Sequence, residues 1–251
     1  MTVALYAFTC GHLTMPFKSF LEGEEGTLKV PVPAYLVVHE KGSVLFDTGL
    51  NPHAVHDDAR YRGQVHKSHE FHVTQHELLP ARFEDAGLDI STVTHLVNSH
   101  LHFDHAGGNQ LAPDVPVIVQ KRELEHAREA GAPFGYVAED FETGQSFNTI
   151  TGKLDLFGDG SVVCLPTPGH TPGHQSLKVE TDKGQFVLAG DACYLRRSLD
   201  NLHLPRFRHD EEAMLASLRT LRDLQQRGAT IMYGHDPDFW KDIPQAPTRL
   251  G

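Results

Sequence analysis

The segment His100-Leu101-His102-Phe103-Asp104-His105 constrains this chain's fold more than any other stretch. It follows the β-branched, apolar run Thr94–Asn98 and leads into Ala106-Gly107-Gly108-Asn109. In an extended or turning segment His100 and His102 project the same way. Asp104 and His105 lie just beyond, where the chain can turn into a helix and aim two more groups at a second point. Four imidazole or carboxylate groups within six residues are too many for one tetrahedral ion. Such an ion takes about four ligands and, when catalytic, keeps a position open for water. The segment therefore predicts two adjacent ions, and the fold has to bring further ligands to them from distant strands.

The rest of the chain supplies those ligands at strand ends. The runs Val3–Phe8, Ala34–His39, Ser43–Phe46, Thr94–Asn98, Val115–Gln120, Ser161–Pro166, Gln175–Glu180, Gln185–Ala189 and Thr230–Tyr233 read as strands. Many are nearly continuous in hydrophobicity, which implies sheets covered by helices rather than a solvated β-sandwich. Pro168-Gly169-His170-Thr171-Pro172-Gly173-His174 follows one of these strands, Gly190-Asp191 ends another, and Tyr233-Gly234-His235-Asp236 ends a third. Each places a histidine or aspartate beside glycine, where backbone bends tightly and a side chain can enter a cleft.

Three helices are punctuated. Pro80–Ala86 stops at Gly87, Lys121–Ala130 stops at Gly131, and Asp210 caps a long helix ending before Gly228. Met214, Leu215, Leu218, Leu221 and Leu224 recur at spacings of three or four in the last helix, an apolar stripe for core packing. Residues 51–73 and 131–150 read as irregular, and no low-complexity linker divides the chain, so one domain spanning residues 1–251 is expected.

Composition narrows the partners. With 22 Lys+Arg against 33 Asp+Glu the formal charge is −11, which disfavours nucleic acid because phosphate backbones need a positive surface. No apolar run approaches the roughly 20 residues of a membrane span, and the N-terminus lacks a signal-peptide pattern, so a cytoplasmic location is expected. Three cysteines without a C-x-x-C spacing support neither a disulfide framework nor a thiolate zinc site. Eighteen histidines are the anomaly, and the spacing above assigns some of them to metal.

From Asp47-Thr48-Gly49 to Gly234-His235-Asp236, the HxHxDH sextet with its downstream His, Asp and His resembles the metallo-β-lactamase superfamily. The resemblance implies a metallo-β-lactamase-like four-layer αβ/βα sandwich with two zinc ions at the edge between two sheets. By position, His100, His102 and His170 would hold the first ion and Asp104, His105 and His235 the second, with Asp191 bridging. Other divalent transition metals suit the same ligands. Asp47 would accept the second N–H of a ligand histidine, fixing its tautomer.

Within the superfamily the closest resemblance is to the N-acyl-homoserine lactone lactonases of quorum quenching. It rests on residues 99–109 (SHLHFDHAGGN), residues 167–177 (TPGHTPGHQSL), Asp191-Ala192-Cys193-Tyr194 and Gly234-His235-Asp236. Known zinc β-lactamases lack the bridging carboxylate that Asp191 provides, and the 16 residues after His235 are too few for the helical region of a glyoxalase II. The resemblance implies attack of a metal-bridging hydroxide on the lactone carbonyl, Tyr194 as donor to the carbonyl or oxyanion, and Asp104 as proton relay to the leaving alkoxide. Phe103 is placed to face the acyl chain, with Met15, Phe17, Phe20, Phe71, Phe134 and Tyr136 as further wall residues. Cys193 is expected to be a small packing residue. His12, His53, His56, His66, His69, His72 and His76 receive no role, and most are expected at the surface.

Three other readings stand beside this one. Another lactonase or a thioester hydrolase could use the same dinuclear site, because the metal chemistry does not select the acyl donor. A mononuclear iron dioxygenase of the superfamily shares the HxH element with fewer ligands. A structural zinc site would be closed by four protein ligands, often cysteines.

Overall fold

In the computed structural model, which describes residues 3–56, 59–65, 67–130 and 135–251, the apolar runs assemble into two sheets. The first contains β1 (Ala4–Pro16), β2 (Thr27–His39), β3 (Gly42–Phe46), β4 (Glu70–His72), β5 (Val93–Val97), β6 (Val117–Gln120) and β7 (Phe147–Ile150), in the spatial order β4-β1-β2-β3-β5-β6-β7. The second contains β8 (Leu154–Asp155), β9 (Val162–Pro166), β10 (Gln175–Thr181), β11 (Gly184–Leu188) and β12 (Thr230–Met232), in the order β12-β11-β10-β9-β8. The helices are α1 (Ala59–Arg62), α2 (Leu79–Asp85), α3 (Phe103–Ala106), α4 (Lys121–Ala130), α5 (Ala138–Phe141), α6 (Arg196–Asn201), α7 (Glu211–Gln226) and α8 (Pro237–Trp240).

Alternation along β2 and β3 sorts the core into layers. Tyr35, Val37, Val44 and Phe46 join Val162, Cys164, Leu177, Val179 and Leu188 of the other sheet in a shared core. Ala34, Leu36 and Leu45 point the opposite way, onto Leu79 and Phe83 of α2. On the far side, Met214, Leu218 and Leu221 of α7 pack on Val187 and Ile231. The order helix, sheet, sheet, helix is the four-layer sandwich expected. Asp210 caps α7 by accepting from the Ala213 N–H at 2.9 Å. Each fully buried leucine of its stripe contributes about 1.5–3 kcal/mol.

Several boundaries differ from the sequence reading. β1 runs to Pro16 rather than Phe8 because a register shift between Thr9 and His12 absorbs the break in pattern and pairing resumes. β2 begins at Thr27 rather than Ala34 despite Pro31 and Pro33. Those prolines pair with β1 alone, and β3 pairs only from Tyr35 onward, so one edge is open there and tolerates residues without an N–H. The stretches read as irregular contain α1 and β4 in one case, and α5 and β7 in the other. Among the described residues no helix is long and apolar enough to cross a membrane.

Parallel pairing delivers the chemistry. Phe46 faces Val97 across β3 and β5, so Asp47 and the segment from Asn98 leave the sheet together, with the Asp47 N–H donating to Val97 O at 2.9 Å. Leu188 faces Met232 across β11 and β12, so the Asp191 and His235 segments also emerge side by side. Backbone bonds from Gly234 N to Cys193 O (3.0 Å) and His235 N to Tyr194 O (2.9 Å) hold them there.

Candidate metal centre

The His100–His105 segment leaves β5 extended and becomes the single turn α3 at Phe103, with His102 in the non-helical N-cap conformation. This one change of backbone sends His100 and His102 to one side and Asp104 and His105 to the other. The His170 loop is fixed differently. A Cβ on Gly169 would lie 2.3 Å from the Met214 nitrogen, so the loop rests directly on the first turns of α7. The Gly169 carbonyl accepts from the N–H groups of His209 and Asp210, both at 2.9 Å.

These segments bring the predicted ligands into two buried groups. His100, His102, His170 and Asp191 form one, and Asp104, His105 and His235 the other, with candidate ligand atoms inside each group no more than 4.8 Å apart. Asp191 lies between them. Its Oδ2 is 3.3 Å from His170 Nε2 and 3.7 Å from His100 Nε2. Its Oδ1 is 3.1 Å from His235 Nε2 and 3.2 Å from His105 Nε2. Asp104 Oδ2 stands 3.6 Å from His235 Nε2 and 3.8 Å from His105 Nε2.

Outer contacts set the tautomers of two histidines. His105 Nδ1 donates to Asp47 Oδ2 at 2.9 Å, and His235 Nδ1 donates to the Pro31 carbonyl at 2.8 Å, an acceptor on the open edge of β2. Both rings therefore turn Nε2 inward, as metal-binding imidazoles do. Asp47 also accepts from the Ser99 N–H at 2.7 Å, which ties β3 to the start of the ligand loop.

The centre carries the signature of a site built for cations. His100 Nε2, His105 Nε2 and Asp191 Oδ1 are buried without a hydrogen-bond partner. Unsatisfied buried polar atoms cost about 1–3 kcal/mol each, and divalent ions held by nitrogen and carboxylate oxygen would satisfy all three. The donor set thus fits a pair of metal ions. Electrostatics without metal point the same way. Burial pushes His100 and His102 well below the usual imidazole value, keeping them neutral and ready to ligate. Burial alone would raise Asp191, but His105, His235 and His170 hold it well below the carboxylate range.

Tyr194 is buried beside this centre. Its hydroxyl is 3.0 Å from His170 Nδ1, and its ring meets Phe20 edge-on at 5.4 Å. Burial, reinforced by the negative charges of Asp191 and Asp104, raises its pKa well above that of a free phenol, so it remains a donor across the neutral range. Above the centre opens a cleft of about 560 Å³ whose walls include Met15, Phe20, Phe103 and Tyr194. Phe103 is supported from behind by Phe71, edge-on at 5.7 Å. Phe17 packs on the same apolar cluster without lining the cleft, and Tyr136 stands behind His102 at 4.6 Å. Phe134 and His66 lie outside the described residues.

Two of the histidines left without a role by sequence belong to the site. His174 is fully buried and its Nε2 accepts from the Asp191 N–H at 3.0 Å, so it orients Asp191 from behind. Burial lowers it to about 3, which keeps that nitrogen an acceptor. Its place in the G-H-T-P-G-H repeat was the only available signal. His69, read among residues without a role, instead lines the cleft and stacks on Phe103 at 5.7 Å. Cys193 is fully buried among apolar side chains, a packing residue as expected.

The family model of the metallo-beta-lactamase superfamily matches residues 28–235. An N-acyl homoserine lactonase, AttM, of Azorhizobium caulinodans is 33% identical over 235 residues, covering 90% of this chain and 89% of the relative. An N-acyl homoserine lactonase of Bacillus cereus is 32% identical over 212 residues, covering 83% of this chain and 82% of its own length. The fold also superimposes on a crystallised N-acyl homoserine lactone hydrolase that holds the product N-hexanoyl-L-homoserine at its catalytic metal centre. The TM-score is 0.90, with 30% identity and full coverage of both chains.

Proposed function

Since the chain belongs to the metallo-beta-lactamase superfamily, in the branch of the N-acyl homoserine lactonases, we propose that it is a metal-dependent hydrolase opening the lactone ring of N-acyl homoserine lactones. The observation that carries this reading is Asp191, with one oxygen toward His100 and His170 and the other toward His105 and His235, on the floor of an apolar cleft. In this reading residues 1–251 are one hydrolase domain with two zinc ions as cofactors: His100, His102 and His170 would hold one, Asp104, His105 and His235 the other, and Asp191 would serve both. Three buried free cysteines suit a reducing, cytoplasmic setting.

Bound ions supply Lewis acidity toward the ester carbonyl and activate water at neutral pH. The chain's own residues then orient and protonate. Tyr194 offers its hydroxyl to the oxygen on which charge develops, from a buried position where a hydrogen bond is worth more than in water. Ring opening leaves an alkoxide that needs a proton. Asp104, buried beside His105 and His235 at the base of the cleft, has a carboxylate placed to pass a proton to that oxygen. Phe103, Met15 and Phe20 exclude water from the acyl chain, contributing about 0.8 kcal/mol for each methylene they fully desolvate.

Product analysis tests the assignment. Hexanoyl- and decanoyl-homoserine lactone incubated with the metal-loaded chain should each gain one water with the amide intact. Release of a fatty acid, or no turnover by fully loaded protein, would overturn it.

A further inference from the structure

Glu123, the third residue of α4, is a fully buried carboxylate outside both ligand groups. Burial raises its pKa, and four donors oppose that by surrounding it. Oε1 accepts from the Leu101 N–H at 3.1 Å and the Tyr136 hydroxyl at 3.0 Å. Oε2 accepts from the Thr171 hydroxyl at 2.6 Å and the Gly173 N–H at 3.1 Å.

The partners are informative by position. Leu101 separates His100 from His102, and Thr171 follows His170, so one carboxylate joins the two loops that carry the first ligand group. A Cβ on Gly173 would come within 2.2 Å of the Glu123 nitrogen, so the second loop lies directly on α4. Tyr136 continues the chain of contacts to His102, which its ring meets at 4.6 Å. Leu124 and Ala127 of the same helix pack into an apolar cluster, where a hydrophobic side chain would avoid the desolvation cost of a carboxylate. Asp47 makes a connection of this kind for the second group through His105, and its side-chain hydrogen bonds go to His105 and Ser99 rather than to the His170 loop.

We propose that Glu123 is a positioning residue for the first metal group, its carboxylate fixing the separation between the loop of His100 and His102 and the loop of His170. The proposal rests on the two-metal reading of the site, and its test reads metal retention rather than lactone turnover. A wild-type chain that holds two metals but opens no lactone would sink the substrate assignment and leave this proposal standing. Glu123→Gln keeps the volume and supplies one acceptor oxygen in place of two. The hydroxyls of Tyr136 and Thr171 can rotate, but the backbone N–H groups of Leu101 and Gly173 cannot, so the new amide faces one of them donor to donor.

In chelator competition on the full-length chain, wild type should retain two equivalents. Glu123→Gln should hold one of them as wild type does and the other about 10–100-fold more weakly. In a His235→Ala background, where the first group alone is complete, the remaining equivalent should be the weakened one. Thr171→Val removes one donor, should shift the same equivalent by less, and carries the test should Glu123→Gln fail to fold. A merely structural role would instead lower the melting temperature of the metal-free chain and loosen both equivalents alike. That pattern, or unchanged retention of both in the variants, would overturn the proposal, as would a wild type that takes up no metal.

Discussion

Replacing Asp47 by Asn should disable the second metal group without disturbing the backbone. Asp47 occupies the left-handed region at φ +58°, where Asn is about as well tolerated as Asp. What changes is the supply of acceptors. In the native chain Oδ1 takes the Ser99 N–H at 2.7 Å, while Oδ2 takes the Ser99 hydroxyl at 2.9 Å and His105 Nδ1 at 2.9 Å. Asn has a single oxygen, which the immovable Ser99 N–H claims, so its amide NH2 turns toward His105. The ring must then accept at Nδ1 and carry its proton on Nε2, the nitrogen 3.2 Å from Asp191 Oδ1 that has to be bare to bind metal. A hydrogen bond to a charged group is worth about 1.5–3 kcal/mol, and tenfold in affinity corresponds to about 1.4 kcal/mol. The second equivalent should therefore bind roughly 10–100-fold more weakly, in the range measured for outer partners of metal-bound histidine. Metal content after dialysis against graded chelator is the assay. One equivalent should leave early while the other stays, and activity should return when excess metal is supplied. Wild-type retention of both equivalents would refute the tautomer argument.

Two further outcomes are expected. Tyr194→Phe, compared with wild type when both are fully loaded with metal, should lose about 10–10³-fold in kcat, the range for removing one oxyanion donor; unchanged kcat in the metallated variant would remove Tyr194 from the chemistry. Asp140, buried against the Asn51 amide at 2.7 Å and the Tyr61 hydroxyl at 3.0 Å, is pushed up to about 8 by desolvation. Because its folded pKa lies above the unfolded value near 3.8, its stabilising contribution is complete below about pH 4 and is lost as pH rises through 8. Asp140→Asn has no such loss, so its stability relative to wild type should climb by several kcal/mol between pH 4 and 8 and then level off. Urea midpoints at a series of pH values measure the difference, and a constant gap would show that the carboxyl is not held protonated.

The parts of the centre that were legible in sequence are those whose geometry is decided within a few residues. His100 and His102 share a side because both precede the helix, His102 being still extended, and Asp104 and His105 diverge because α3 begins at Phe103. Asp191 and His235 could be located because each follows a short apolar strand and a glycine. Strand limits were less readable where tertiary context overrode local signals. Pro31 looks like a strand breaker, yet the open edge that tolerates it also frees the carbonyl that holds His235. Glu123 and His174 were hidden for another reason. Each is an ordinary residue type whose role is set by burial and by partners as far as 17 positions away for His174 and 50 for Glu123, distances over which sequence spacing carries no geometry.

The walls of the cleft show where that distinction matters for specificity. Metal ligands have to come from tightly turning strand ends, because several side chains must converge on one point, and so they leave a pattern in sequence. An acyl chain needs only apolar surface at a suitable distance, which many backbones can supply. Here Phe103 comes from the metal motif itself, but the rest of the apolar wall comes from the end of β1 and Phe20 after it, the segment around Val65 and His69, and Phe207 after α6, stretches with no shared spacing. Phe207 alone among the large hydrophobic side chains of the described residues is markedly exposed, at 45%, and it stands at the cleft beside His170, 6.5 Å between ring centroids. An apolar ring left in water at the mouth of an apolar cleft gains contact area only when something apolar enters. Acyl-chain preference should therefore reside in these separately placed walls, and they can vary between relatives while the strand-end ligands stay fixed.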